Sequence, residues 1–534
     1  MLRFFLLLAL TTLLVSDVFG QNLVPVTGIL SNSVTNLHAD GETIWVGPHL
    51  NVSQDQGQTW NAVNTDSLSG LKNRVYSIDI EGNVIWVGLG DKYDRTSNGG
   101  RTQEIHRITG LLNSNDHGFT WRYVPYFPVE GDDPNTTGLL DSPDDTLITY
   151  GRNQLSALAV TVPDLSPPWD IDYDPNNREI WVAAAVAGLR KSSDNGYSWQ
   201  RIVLPPDTSE YISPDLNYVF PFFSLPEPAG IPVRQFRGYN FGVFSVLVDE
   251  IGTIWTGTQG GLNKSDDGGI SWRHITTRDG LLGNTVFSIE EQTRPGLPPA
   301  IWVTNRAGSL YPDEIEASGV SVTHDHGKTF ENLLHGLQCF DFAFDERMIY
   351  VACDEGLFIS KDNGATFISN SIFPDDQSGI TSRRKLRVHS VALTNGVIWA
   401  GTEDGLFQSR DGGNSWNSFR ANVPLNPEGL PPMVPVDLVP SVSTYAYPNP
   451  FSPIADQLIR FKYDLKESGS VTIRVFDFGM NLVRTVVSEI QEQGTREVSW
   501  DGIDDYGARL ANGPYFYAVQ TQGETFWGKI LIVN

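Results

Sequence analysis

A motif of a hydroxyl residue, Asp, Gly and a second hydroxyl residue, each one position apart, followed directly by Trp or Phe, recurs seven times in this chain. The copies are Ser53/Asp55/Gly57/Thr59/Trp60, Ser114/Asp116/Gly118/Thr120/Trp121, Ser192/Asp194/Gly196/Ser198/Trp199, Ser265/Asp267/Gly269/Ser271/Trp272, Thr323/Asp325/Gly327/Thr329/Phe330, Ser360/Asp362/Gly364/Thr366/Phe367 and Ser409/Asp411/Gly413/Ser415/Trp416. An internal repeat restricts architecture before any single residue restricts chemistry, because each unit must bury its apolar face against the next.

The motif has the chemistry of a tight turn. Ser and Asp side chains bond nearby backbone amides, Gly takes a positive φ, and the flat aromatic ring wedges between neighbouring sheets. Ahead of each copy stands a strand marked by Ile and an aromatic: Ile44-Trp45, Ile85-Trp86, Ile180-Trp181, Ile254-Trp255, Ile301-Trp302, Ile349-Tyr350 and Ile398-Trp399. Further alternating runs precede several of these, such as Val75-Tyr76-Ser77, Val286-Phe287-Ser288 and Val388-His389-Ser390. Period-2 patterning between Gly, Asn and Asp turns signals strands. The unit is thus four strands, A to D, with the motif at the C–D turn, and seven such units predict an all-β, seven-bladed β-propeller over residues 21–422.

These repeats resemble the Asp-box (BNR) repeats of sialidases, sortilin-type receptors, two-propeller xyloglucanases and photosystem assembly factors. In that superfamily the box is a fold element facing away from the usual ligand face. The resemblance therefore implies that Asp55, Asp116, Asp194, Asp267, Asp325, Asp362 and Asp411 are structural, not metal ligands; no metal or cofactor is expected.

Beyond the repeats, six prolines between 424 and 440 read as a stiff linker, placed at 423–443. Alternating strands over 444–534 then suit an Ig-like β-sandwich. Tyr447-Pro-Asn-Pro-Phe451, Val471 to Asp477, Ser499-Trp-Asp-Gly502 and Gly513-Pro-Tyr-Phe-Tyr517 resemble the C-terminal sorting modules of type IX secretion, close to the flagellar hook-cap Ig-like module. That resemblance implies export across an outer membrane, with secretion machinery as a partner.

A net charge of −26 opposes binding to nucleic acid or an anionic membrane surface. Residues 1–20 carry Arg3, an apolar run and small residues before Gln21, the pattern of a signal peptide, and no later stretch has the length of a membrane span. The mature protein is expected to be secreted or at the cell surface. Two cysteines, Cys339 and Cys353, flank a hairpin, where they form a cross-strand disulfide or stay as two buried thiols.

Strand order places B–C and D–A connections on one face and the Asp boxes on the other. The long insertions, 91–112, 125–167, 204–239, 305–320 and 369–386, belong to the first set, which marks that face for binding. Candidate ligand residues are Tyr211, Tyr218 and Tyr239 on the aromatic insertion, and Arg74, Asn284, Arg387 and His389 near inner-strand starts. The expected ligand is an extracellular glycan or a protein. A sialidase- or xyloglucanase-like glycoside hydrolase is the alternative, with carboxylates such as Asp215 and Glu227 converging from separate loops. A sensor-type propeller is a third reading, on Ile254 to Leu262. No zinc spacing, nucleophile elbow or phosphate loop is present, so the reading favours binding over catalysis.

Overall fold

A computed structural model of the chain describes residues 23–26, 28–96, 102–125, 147–156, 165–185, 187–218, 222–224, 234–236, 239–294, 296–308, 315–345, 348–375, 380–381, 385–421, 442–453 and 458–533. The signal-peptide and linker expectations lie outside these residues, apart from Val442 and Ser443. Among the described residues the first domain has seven antiparallel sheets of four or five strands, beside three two-stranded ribbons, and each of the seven is led by its innermost strand: Leu37–Asp40, Arg74–Glu81, Pro168–Asp174, Val243–Val248, Thr285–Gln292, Cys339–Asp345 and Val388–Thr394. Five sheets have four strands; the first and fourth each gain a fifth on the outside, Leu23–Val26 and Tyr211–Ile212.

The Asp boxes show why the sheets close into a propeller. In the fourth blade Ser265 Oγ donates to Asp267 Oδ1 at 2.8 Å, the Ser271 amide donates to the same oxygen at 2.8 Å, and Ser271 Oγ donates to Oδ2 at 2.5 Å. The Gly269 amide donates to Ser265 Oγ at 2.9 Å. Equivalent bonds recur in the other blades, as at Asp55, Asp116 and Asp362. Two successive residues enter the left-handed region, for instance His117 (φ 58) and Gly118 (φ 85). The sequence reading assigned a positive φ to the glycine alone.

Each box packs its glycine against the preceding blade. A methyl placed on Gly118 would lie 2.5 Å from the Trp45 ring, on Gly269 2.8 Å from Trp181, and on Gly327 2.9 Å from Trp255. Gly196 meets Trp86, Gly364 meets Trp302 and Gly413 meets Ile359, while Gly57 of the first blade meets Trp399 of the last. In six of the seven joints the strand-B tryptophan and the next Asp box are the two halves, and at Gly413 the third-strand Ile359 takes the tryptophan's place.

The described parts of the large insertions divide between the expected face and the edge of one blade. Segment 91–112 is mostly regular: strands Val84–Thr96 and Thr102–Ser114 pair as one long ribbon. Part of the 125–167 and 204–239 insertions goes instead to the outer edge of the fourth blade. There Tyr211–Ile212 pairs with Ile212 opposite Trp272, and Tyr150 Oη donates to the Ile270 carbonyl at 2.8 Å. Covering an outer strand protects its open hydrogen-bonding groups, which accounts for this placement.

The second domain stacks a three-stranded sheet (Thr444–Tyr447, Ile459–Leu465, Gly494–Trp500) on a four-stranded one (Gly469–Phe476, Leu482–Gln491, Gly513–Gln520, Thr525–Ile532). Phe461, Tyr463, Trp500, Tyr517 and Ile473 fill its core. It meets the propeller at the B–C turn of the seventh blade. Asp404 accepts two bonds from Arg420 at 3.0 Å and one from Arg460 of the sandwich at 2.6 Å, and Arg460 Nε lies 3.4 Å from Glu497. Asn32 Nδ2 adds a bond to Tyr447 Oη at 3.4 Å.

Candidate functional site

The innermost strands begin on the insertion-bearing side, and in six blades that start carries a β-bulge. A bulge sets two residues against one and re-aims a side chain. The extra residue is Tyr76, Trp169, Phe244, Phe340 or His389 in blades two, three, four, six and seven. In blade five, Phe287 and Ser288 share the position.

These rings form an arc around the mouth of the central channel. Ring centres are 5.6 Å apart for Tyr76 and Trp169, 6.5 Å for Trp169 and Phe244, 4.5 Å for the stacked Phe244 and Phe287, and 5.8 Å for Phe340 and His389. Trp169 is 38 % exposed. The long ribbon leans in beside them, with His106 Nδ1 and Tyr76 Oη 2.7 Å apart. Between Phe287 and Phe340 stands Arg306, its guanidinium carbon 4.1 Å and 5.3 Å from the two ring centres. Arg387 is 5.8 Å from the Phe340 ring.

Carboxylates occupy the channel on the same inner strands. Each bridges to a neighbouring blade: Asp79 accepts from the Tyr173 amide at 2.7 Å, Asp170 from Val246 at 3.0 Å, Asp172 from Val248 at 2.9 Å, and Asp341 from Val391 at 3.0 Å. Enclosure by protein raises their pKa, to about 7 for Asp79 and Asp341 and about 8 for Asp170. Burial likewise lowers His389 to about 4, with help from Arg387, so its ring is neutral at pH 7. Among the described residues no three His, Cys, Asp or Glu side chains converge as metal ligands would.

Of the residues singled out in the sequence, Arg387 and His389 stand at the mouth, and Arg74 opens the strand bearing Tyr76. Asn284 is buried and bonded within the protein, accepting from the Thr277 amide at 2.9 Å and donating to Glu316 at 2.9 Å. Tyr211 and Tyr218 lie with the outer edge of the fourth blade, where Tyr218 Oη accepts from the Ser213 amide at 2.7 Å. Tyr239 is exposed on the approach to the fourth inner strand, its amide bonded to Asp207. The seven box aspartates all sit in C–D turns on the opposite face. Asp215 is exposed, and Glu227 lies outside the described residues. The sequence reading missed Tyr76, Trp169, Phe244, Phe287, Phe340 and Arg306.

Residues 454–524 match the FlgD Ig-like domain family. No curated protein matches the chain in sequence. Among solved structures the chain is similar to PorZ, described as an essential bacterial surface component of the type-IX secretion system of Porphyromonas gingivalis, at 14 % identity over 94 % of this chain and 75 % of that one, with a TM-score of 0.30. It is similar to YCF48 from Cyanidioschyzon merolae at 14 % identity, covering 72 % of this chain and 97 % of the other, TM-score 0.40. An ancestral GH74 enzyme aligns at 15 % identity over 95 % and 63 % of the two chains, TM-score 0.46.

Proposed function

We propose that this chain is an extracellular, non-catalytic propeller that binds a polysaccharide across the channel mouth and is exported through its C-terminal Ig-like module. The observation that carries the binding reading is the arc of bulge-presented rings. Six blades independently place an aromatic or imidazole ring at one structural position, where it leaves the ladder and is only partly buried, Trp169 being the most open at 38 % exposed. Flat apolar faces with a few convergent polar groups suit the C–H faces of pyranose rings. Export is supported by the basic-then-apolar N-terminal segment together with the family match of the terminal module.

A glycan array read in parallel with reducing-sugar release tests the reading. Binding without release is expected, and Trp169→Ala, which removes a half-open ring, should weaken binding roughly tenfold while leaving the fold intact. Sugar release abolished by replacing carboxylates at the mouth would establish the hydrolase instead. Binding that survives loss of Trp169 and Phe244 together would move the ligand elsewhere.

A further inference from the structure

Two guanidinium groups at the mouth, those of Arg306 and Arg387, stand beside aromatic rings without a carboxylate partner among the described residues. Arg107 is paired with Asp91, Arg273 with Asp279, Arg420 and Arg460 with Asp404. Arg306 and Arg387 form no salt bridge among the described residues, although the chain carries 63 acidic residues against 37 basic ones. Arg306 Nε is buried and has no hydrogen-bond acceptor. The phenyl faces of Phe287 and Phe340 hold its guanidinium flat between two blades, and Phe340 also underlies Arg387. Burial first, and then the charge of Arg387, lowers the pKa of Arg306. Asp354 attracts Arg306 from beyond ion-pair range, while its own Oδ1 is engaged by the Gln338 amide at 3.1 Å.

Cation–π contacts explain where Arg306 sits but not why two like charges are held together with a donor unsatisfied. Stacking on a ring is a modest attraction, whereas a buried donor without an acceptor keeps its full desolvation penalty. Mutual repulsion adds to that cost. An anionic ligand oxygen removes all of these penalties at once. A planar carboxylate matches the fork of a guanidinium better than any point anion does.

We infer that Arg306 and Arg387 form an anion subsite within the aromatic arc, beside Phe340, and that the polysaccharide bound there is acidic, with a ring carboxylate seated at the two guanidiniums. Pyranose faces then lie on Phe287, Phe244 and Trp169 while the carboxylate reaches the arginines. This inference rests on the glycan-binding reading and narrows it to uronic-acid-type sugars.

The test is calorimetric titration of the full chain with trigalacturonate, with its carboxyl-reduced neutral counterpart, and with inorganic sulfate. The expected result is a preference of roughly ten- to hundredfold for trigalacturonate over the neutral trisaccharide. In the double variant Arg306→Gln/Arg387→Gln that preference collapses to within about twofold, and weak binding of both sugars persists. Arg387→Gln alone should leave the melting temperature unchanged or raised, because it relieves repulsion; a marked drop would show that Arg387 is a structural residue and overturn the subsite. Equal affinity for charged and neutral sugars would overturn the subsite while leaving glycan binding standing. Sulfate as strong a ligand as trigalacturonate would reduce the site to one for free anions and overturn the acidic-sugar assignment. Binding of neither sugar, with a negative array, would overturn both readings.

Discussion

If the Asp box is an inter-blade joint, a single methyl in it should cost more than the same methyl in a turn that touches nothing. Gly118 and Gly41 provide the comparison. Both have positive φ, +85° and +58°, so alanine is strained at either position. The left-handed conformation costs an L-residue about 1–2 kcal/mol. At Gly41 nothing lies within 4 Å of the new methyl, and that strain is the whole effect. At Gly118 the methyl would stand 2.5 Å from Trp45, which is 2 % exposed and held edge-on by Trp121 at 5.9 Å. Trp45 has no room to withdraw, so overpacking of about 1–3 kcal/mol is added. Gly118→Ala is therefore expected to cost roughly 2–5 kcal/mol and Gly41→Ala roughly 1–2 kcal/mol. Urea denaturation of both variants, followed by tryptophan fluorescence, reads the difference in midpoint. Equal midpoints would refute the joint and leave the box as a turn without packing consequence.

Three further outcomes follow from the same geometry. Carboxyls raised by burial favour folding most when protonated, so the contribution of Asp79, Asp170 and Asp341 is complete below about pH 4 and is lost as pH rises through 7 to 8. The box carboxylates act in the opposite sense: Asp325 and Asp411, held near 2 by hydrogen bonds, lose their contribution as pH falls from about 4 towards 2. The melting temperature should thus decline on both sides of the mildly acidic range, and Asp170→Asn should flatten the alkaline limb; an unchanged limb contradicts the channel assignment. Arg460→Ala leaves Asp404 with Arg420 alone and should let the sandwich move independently of the propeller, seen as an added low-temperature transition in calorimetry, whereas a single unaltered transition argues against that contact. Cys339 faces Cys353 in register, both are buried, and burial with their mutual hydrogen bond raises the Cys353 thiol far above its usual range. Native protein should resist alkylation and take up two alkyl groups when unfolded without reductant; failure to do so would identify a disulfide.

The sequence exposed the repeating frame because the Asp box depends on local chemistry. A carboxylate bonded to residues four positions on, and a glycine with positive φ, leave a fixed spacing that any copy must keep. The strand-B Trp is equally visible, although its contact with the next blade's glycine is not, since the two are separated by a whole unit. Insertions failed for the same reason. Tyr211 stands out by composition, yet its position is decided by the pairing of Tyr211 and Ile212 with Arg273 and Trp272, on a strand about sixty residues on, which no local pattern encodes.

The mouth is the instructive case, because its residues were in plain view as Val75-Tyr76-Ser77, Val243-Phe244-Ser245, Val286-Phe287-Ser288 and Val388-His389-Ser390. Strict alternation reads the middle residue of such a run as one face of a regular strand, opposite to its neighbours. A bulge breaks that rule by adding a residue without a ladder partner, so the side chain leaves the period-2 pattern altogether. In three of the six blades a small pair follows the bulge: Ser77, Ser245 and Ser390 stand against Gly88, Gly257 and Gly401, where a methyl would come within 2.3–2.7 Å of the serine oxygen. In those blades the pairing of a serine with a cross-strand glycine is the packing that accompanies the bulge, and the ring beside it has no ladder partner. A Val-aromatic-Ser run followed about a dozen residues later by Gly, repeated from blade to blade, is the readable signal for a ring turned into the channel mouth.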